Sequence, residues 1–205
     1  MGLYAGAQWI GRHDIPLTDD AEFYLGAAQV YKAWFGEAWG SLRQGNMEAL
    51  RQETVDRHFA YNWVHPPVAK LVMAAGIAVL HDGLGWLDVI EAGRAGIVLL
   101  SILLAALMFL LCWPVYGPWV AASAPLLLLL MPRFFFHSHV ESLDVASAAT
   151  YFLAVFCFWR ARGSVAWSAA TAVAYAVAMA TKINGALVVV PLGLWTVATW
   201  RRTRD

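Results

Sequence analysis

Residues 95–132 read AGIVLLSILLAALMFLLCWPVYGPWVAASAPLLLLLMP, 38 residues without a charge between Arg94 and Arg133. As one helix this stretch would be about 57 Å long, nearly twice the hydrocarbon core of a bilayer. It therefore holds two crossings, or one crossing and a broken half-helix. Pro114, Gly117 and Pro118 mark the natural break, since proline has no N–H to give the helix ladder. A membrane barrel would need roughly ten-residue segments of alternating polarity, and the stretch has none. The fold class is all-α, because helices satisfy their own backbone in lipid.

The pattern continues on both sides. Gly163–Thr181 and Ile183–Trp200 are uncharged apart from their edges, and Leu143–Trp159 can span with Asp144 at its end. Pro66–Leu80 is a shorter candidate, interrupted only by Lys70. The whole chain is 60% hydrophobic and 14% charged, against about 45–50% and 25% in soluble domains. Acidic and basic residues balance at 14 each, which leaves no charge argument for nucleic acid. Cys112 and Cys157 both lie in apolar runs and read as small core or lipid-facing residues. Leu3–Ile10 is too short, and lacks the basic flank, for a cleavable leader.

Residues 1–65 differ from residues 66–205. Ala21–Trp39 places Phe23, Tyr24, Ala27, Ala28, Tyr31, Trp34, Phe35 and Trp39 at mixed i+3 and i+4 spacing, which suits a helix lying in the interface plane. Gly40-Ser41 and Gly45-Asn46 are expected to break it, and Met47–Tyr61 to form a second, more polar helix. The expected layout is an extracytoplasmic loop with interfacial helices over 1–65, then a bundle of about five to six membrane segments over 66–205.

Orientation follows from the basic loops. Arg160 and Arg162 form one, and Arg201, Arg202 and Arg204 another; the positive-inside rule puts both in the cytoplasm. Lys182 and the Arg133–Asp144 segment are then outside. The acidic loop joins them there if residues 66–132 contain one half-crossing, which is the arrangement the short Pro66–Leu80 run and the Pro-Gly-Pro break favour.

Four polar patches interrupt the apolar chain, and charge beside a bilayer is costly. Asp19, Asp20 and Glu22 can supply a general base with a helper carboxylate, or open a helix with Thr18 as N-cap and acids against the macrodipole. His65-Pro66-Pro67-Val68-Ala69-Lys70 can hold a phosphate through His65 and Lys70, or present an interfacial imidazole and a snorkelling lysine. His137, Glu141 and Asp144 lie at i, i+4 and i+7; the spacing fits a polar helix face toward a cavity better than a zinc site, since no third strong ligand is obvious. Thr181-Lys182-Ile183-Asn184-Gly185 is a loop charge or a ligand cation. Carboxylate and cations together suggest group transfer from a phosphate-bearing donor.

In this order the four patches resemble the amino-terminal half of a GT-C membrane glycosyltransferase of the protein O-mannosyltransferase and aminoarabinose transferase group, families 39 and 83. Asp19-Asp20-Ala21-Glu22-Phe23-Tyr24 resembles the group's acidic motif in its first extracytoplasmic loop, usually Asp-Glu. His65-Pro66-Pro67-Val68-Ala69-Lys70 is similar to the His-Pro-Pro-Leu-x-Lys opening of its second membrane helix. His139 through Asp144 resembles its "Arg or His, four residues, Asp" segment, and Ala180-Thr181-Lys182-Ile183-Asn184-Gly185 its Thr-Lys-x-x-Gly turn. The likeness runs from about residue 14 onward. Because the family starts with a helix before the acidic loop and continues through further spans, the resemblance implies a chain truncated at both ends.

The resemblance implies inverting transfer of a sugar from a polyprenyl-phosphate donor to a protein, lipid or glycan acceptor, at the outer face of a bacterial plasma membrane. Asp19 is then the base and Asp20 its helper. His65, Lys182 and His139 hold the departing phosphate, with Glu22, Lys70 and Asp144 in support. No cofactor is required and no metal ligand set is implied, although an Asp-Asp pair is chemically able to bind a divalent cation. The alternative from another class is a non-enzymatic membrane protein, either a transporter segment or an inactive paralogue, which an inverted internal repeat would favour; none is visible.

Overall fold

Gly117, at φ 82°, ends the longest helix of the protein, and Pro118 starts the next. The computed structural model describes residues 19–202. Among these there is no strand, so the all-α expectation is borne out. Leu3–Ile10 and Thr18 lie outside the described residues.

Helix α1 is Asp19–Arg43. It runs through Gly40-Ser41, contrary to the expected break, and ends before Gly45, whose φ is 69°. A single helical glycine costs only about 1 kcal/mol relative to alanine, which neighbouring turns outweigh. The second expected helix is also divided. A 3₁₀ turn, Glu48–Leu50, is separated from α2, Gln52–Phe59, by Arg51 in an extended conformation. The Trp34 indole N–H donates to the Ala49 carbonyl at 2.9 Å and ties this turn to α1.

Helix α3, Val68–Gly76, continues as a π-helical segment over Ile77–Gly83. Together they reach only about 24 Å, short of a full bilayer core. Helix α4 is Val89–Tyr116, with Asp88 as N-cap accepting from the Glu91 N–H at 2.8 Å. It is 28 residues long, about 42 Å. Pro114 sits inside it without ending it; the left-handed glycine three residues later makes the break. Helix α5, Pro118–Leu129, is 12 residues, about 18 Å, so it is a half-crossing in length. It packs back along α4.

Three further helices follow: α6, Pro132–His137; α7, Leu143–Arg160; and α8, Val165–Thr181. A 3₁₀ segment, Ile183–Val188, leads into α9, Val189–Arg202. Among the described residues two helices, α4 and α7, are long and apolar enough to cross a membrane. Pro118–Leu129, Val165–Thr181 and Ile183–Thr199 are shorter apolar helices.

The main core joins α1, α3, α4 and α7 through Leu25, Met73, Ile77, Ile97, Leu143 and Ala146. At the α3–α4 crossing, a Cβ on Gly76 would lie 2.3 Å from the Ala92 carbonyl oxygen, and one on Gly96 2.7 Å from that of Val72. Glycine lets the two backbones touch, as small residues do where membrane helices pack. A second core joins α7, α8 and α9 through Cys157, Ala174, Val188 and Leu192. The Lys32–Asp82 ion pair, at 2.5 Å, fastens α1 to the end of the π-helical segment that continues α3. Its neighbour on α1, Tyr31, is buried against the chain that carries His65.

Candidate functional site

The first turns of α1 and α7 meet the ends of α6 and α8 around a polar cavity of about 220 Å³. Asp20, Tyr24, His137, Glu141, Asp144 and Lys182 contribute to its wall. A second cavity of about 390 Å³ adjoins it, lined by Tyr61, Asn62 and His65 among others. Asp20 and Tyr24 belong to both walls. Residues from four separate patches of the sequence are thus gathered in one place.

Each arm of the site has a local cause. Lys182 follows the last residue of α8, and its N–H still donates to the Ala178 carbonyl at 3.2 Å. Its own carbonyl accepts from the Gly185 N–H at 2.8 Å. A Cβ on Gly185 would lie 2.3 Å from the Ala178 carbonyl oxygen, so the turn packs flat against α8 only with glycine there. The turn directs the Lys182 ammonium to Asp144, with Nζ 2.6 Å from Oδ1. Asn184 and Ser147 meet at 3.4 Å and hold the same turn against α7.

Ser142 starts α7, and its Oγ accepts from the Asp144 N–H at 3.1 Å. The same oxygen lies 3.3 Å from His137 Nδ1. Residues 138–141 are turn and Ser142 is extended, rather than helix. His137, Glu141 and Asp144 therefore do not share one continuous helix face, as their spacing predicted. They share a cavity because α6 and α7 are folded against each other across this turn.

Lys70 does not snorkel. It is fully buried, and its ammonium donates to the carbonyls of Asn62 and His65, both at 2.7 Å. The ammonium also stands 5.3 Å from the centre of the Tyr31 ring, within cation–π range. The Tyr31 hydroxyl donates to the Tyr61 carbonyl at 3.2 Å, and its ring stacks on Phe59. Lys70 and Tyr31 together hold the bend over Tyr61–His65, where Asn62 has φ 54°. His65 then meets Tyr24 edge-on, ring centres 5.7 Å apart. Burial first, and then the charges of Asp20 and Asp144, hold the Tyr24 phenol above its usual range. Tyr24 therefore keeps its proton where the two cavities meet.

His139 is placed differently from expectation. It is fully buried and absent from both cavity walls. Its Nδ1 donates to the Phe135 carbonyl at 2.6 Å, which locks the ring inside the α6–α7 turn. His137 occupies the cavity instead. Glu22 is exposed and lines neither cavity. Asp19 is the first described residue and opens α1 one position before Asp20. Among the described residues no group of three or more His, Cys, Asp or Glu is placed to hold a metal ion.

The family model described as dolichyl-phosphate-mannose-protein mannosyltransferase matches residues 64–205, well over half of the chain. The chain belongs to this family. It is therefore a polytopic GT-C membrane protein, of a glycosyltransferase family that draws its sugar from a lipid phosphate rather than from a nucleotide. No curated protein and no solved structure matches the chain. The mannosyltransferase match begins one residue before His65 and takes in the 137–144 segment and Lys182. The acidic pair Asp19-Asp20 lies ahead of it, on α1, which packs on α3 of the matched region.

Sequence reasoning gathered His137 with Glu141 and Asp144 by spacing, but chose His139 as the phosphate ligand from the family pattern. Tyr24, a wall residue of both cavities, has no role in that reading. The signal for Tyr24 was present as the sixth position of the acidic motif.

Proposed function

We propose that this protein transfers a sugar from a polyprenyl-phosphate carrier to an acceptor hydroxyl at the extracytoplasmic face of the membrane. The observation that carries the reading is the meeting of Asp20, His65, Asp144 and Lys182 around two cavities that share one wall. These residues come from four distant parts of the chain, and a protein without a polar ligand would have no reason to collect them beside a bilayer.

The acceptor hydroxyl gives its proton to Asp19 as its oxygen attacks the anomeric carbon. Asp20 orients the acceptor or steadies Asp19. The bond from the anomeric carbon to the phosphate oxygen breaks on the opposite side, so the configuration inverts. Negative charge then builds on the leaving phosphate. Lys182, His65 and His137 are the cations and donors that meet it, which is electrostatic stabilisation of the developing charge. Tyr24 adds a neutral donor between the two cavities. Asp144 holds the Lys182 ammonium in place, and Lys70 holds the bend that carries His65. Arg160 and Arg162 lie at the other end of α7 from Asp144, so the positive-inside rule puts the cavities on the outer face.

The test is turnover by the full-length protein in proteoliposomes, supplied with polyprenyl-phosphate mannose and other polyprenyl-phosphate sugars. Asp19→Asn should lower transfer by about 10²–10⁴-fold, the usual contribution of a general base, with donor binding retained. Asn keeps the shape of the side chain, and losing one charge in the first turn of a helix costs about 0.3–1 kcal/mol, so the start of α1 should lose little stability. Asp20→Asn should be intermediate. Full turnover in both variants would remove the acidic pair from the chemistry.

A further inference from the structure

At the ends of α7, α8 and α9 remote from the candidate site lies a cavity of about 290 Å³ that the transfer reaction does not use. Trp159, Arg162, Ser168, Trp195, Thr196 and Thr199 contribute to its wall. Helix α7 is 18 residues long, about 27 Å, so this cavity and the one beside Asp144 stand in opposite leaflets. Arg162 is exposed, and among the described residues it has no hydrogen-bond or ion-pair partner. Arg160 adds a second positive charge behind the wall: its guanidinium stands 5.9 Å from the Trp159 ring centre and 5.3 Å from that of Trp167. The hydroxyls of Ser168, Thr196 and Thr199 donate to the carbonyls of Ser164, Leu192 and Trp195, each at 2.9 Å. Their oxygens keep the capacity to accept. No acidic residue occurs between Asp144 and Asp205 in the sequence, and no carboxylate lines the cavity.

We propose that this cavity binds the headgroup of an anionic phospholipid of the phosphatidylglycerol type, with Arg162 on the phosphate. The proposal stands on the membrane location of the family and not on the transfer reading. Basic pockets between membrane helices suit lipid phosphates, because the charge is met where the headgroups lie. The absence of a carboxylate from the wall selects among headgroups. An ethanolamine headgroup would bring an ammonium toward Arg162 with no acid to receive it. A glycerol headgroup brings hydroxyls instead, which can donate to the oxygens of Ser168 and Thr196. Two features favour a lipid over a free phosphate ion. Trp159 and Trp195 frame the cavity, and indoles prefer the level of the headgroups. Leu194 and Val197, which flank Trp195 and Thr196 on α9, are exposed apolar side chains that acyl chains can cover. On the positive-inside orientation the cavity faces the cytoplasmic leaflet.

The test is native mass spectrometry of the full-length protein, delipidated in detergent. It is titrated with phosphatidylglycerol or with phosphatidylethanolamine of the same acyl chains. Wild type should bind one phosphatidylglycerol about tenfold more tightly than phosphatidylethanolamine, as expected of hydrogen bonds to a charged group. Arg162→Gln should lose that preference. Its side chain is exposed, so the change should leave the fold intact. Arg43→Gln, at an exposed arginine on α1, should keep the preference. Equal affinity of wild type for the two lipids would overturn the proposal, and so would an undiminished preference in Arg162→Gln. An equal loss in Arg43→Gln would overturn it as well, because the preference would then come from overall charge rather than from this cavity. Displacement of phosphatidylglycerol by an excess of inorganic phosphate, matched by an excess of chloride that displaces none, would show a site for a free anion and would overturn the assignment to lipid.

Discussion

Lys182 Nζ lies 2.6 Å from Asp144 Oδ1, bonding the turn after α8 to the first turn of α7, 38 residues apart in sequence. The side chains are 30% and 53% exposed, so solvent screens the pair and it contributes about 0–1 kcal/mol to stability. Its consequence is positional: the only lysine in the last third of the chain is held at the cavity. Lys182→Ala is expected to leave the unfolding midpoint in detergent nearly unchanged and to weaken binding of a polyprenyl phosphate by about tenfold or more. Asp144→Asn should weaken it less. The double variant should match Lys182→Ala alone, because a residue that acts through its partner adds nothing once the partner is gone. Wild-type binding by Lys182→Ala would remove that lysine from phosphate recognition.

Gly185 governs the same ammonium from below. Gly185→Ala sets a Cβ 2.3 Å from the Ala178 backbone oxygen, and neither backbone can yield without moving the turn. A loss of about 1–3 kcal/mol in stability is expected, the usual cost of overpacking, together with a donor-binding defect like that of Lys182→Ala. Gly40→Ala is the control. A Cβ there meets nothing within 4 Å, and alanine suits a helix interior better than glycine. It should be neutral or slightly stabilising in the same thermal scan.

Lys70→Met keeps the length of the side chain and removes both donors to Asn62 and His65. Those carbonyls lose a charged partner, worth about 1.5–3 kcal/mol. Hydrogen exchange over residues 60–67 should accelerate, while α4 and α7 stay protected. Donor affinity should fall in parallel with His65→Ala. Unchanged exchange in this bend would mean that Tyr31 and Asn62 suffice to hold it.

Topology can be read by single-cysteine labelling in a background without Cys112 and Cys157. Gln44, Ile183 and Arg162 are all exposed. Gln44→Cys and Ile183→Cys should react with an impermeant reagent from one face of sealed vesicles, and Arg162→Cys from the other. Labelling of Gln44→Cys and Ile183→Cys from opposite faces would break the single-site arrangement and the transfer mechanism with it.

Much of the helical layout was legible because it depends on neighbours in sequence. The uncharged run over residues 95–132 could only be helix in lipid, and its break came where Gly117 and Pro118 stand. The finer punctuation was not legible. Gly40-Ser41 failed to end α1, and Pro114 failed to end α4, since a local preference of about 1–3 kcal/mol yields to the turns on either side. Arg51 split a segment whose polarity read as one helix, and no residue in it announces that extended kink.

The site divides in the same way. By itself the sequence determined an all-helical membrane protein with four polar patches, and the residue types that phosphate and acid–base chemistry need. Only the tertiary structure decided which of those side chains share a space. His137 and His139 are two residues apart and chemically identical; one lines the cavity, and the other is locked onto the Phe135 carbonyl because the α6–α7 turn points them in different directions. Lys70 reads as a cation for a ligand or a snorkelling lysine, yet burial under the Tyr61–His65 bend turns it to backbone carbonyls. Glu141 reads as one acid of a polar face toward a cavity, yet Arg94, 47 positions earlier, draws its side chain into the core. Each outcome depends on which groups from distant segments compete for the same donor or acceptor, and that competition exists only once the helices have packed.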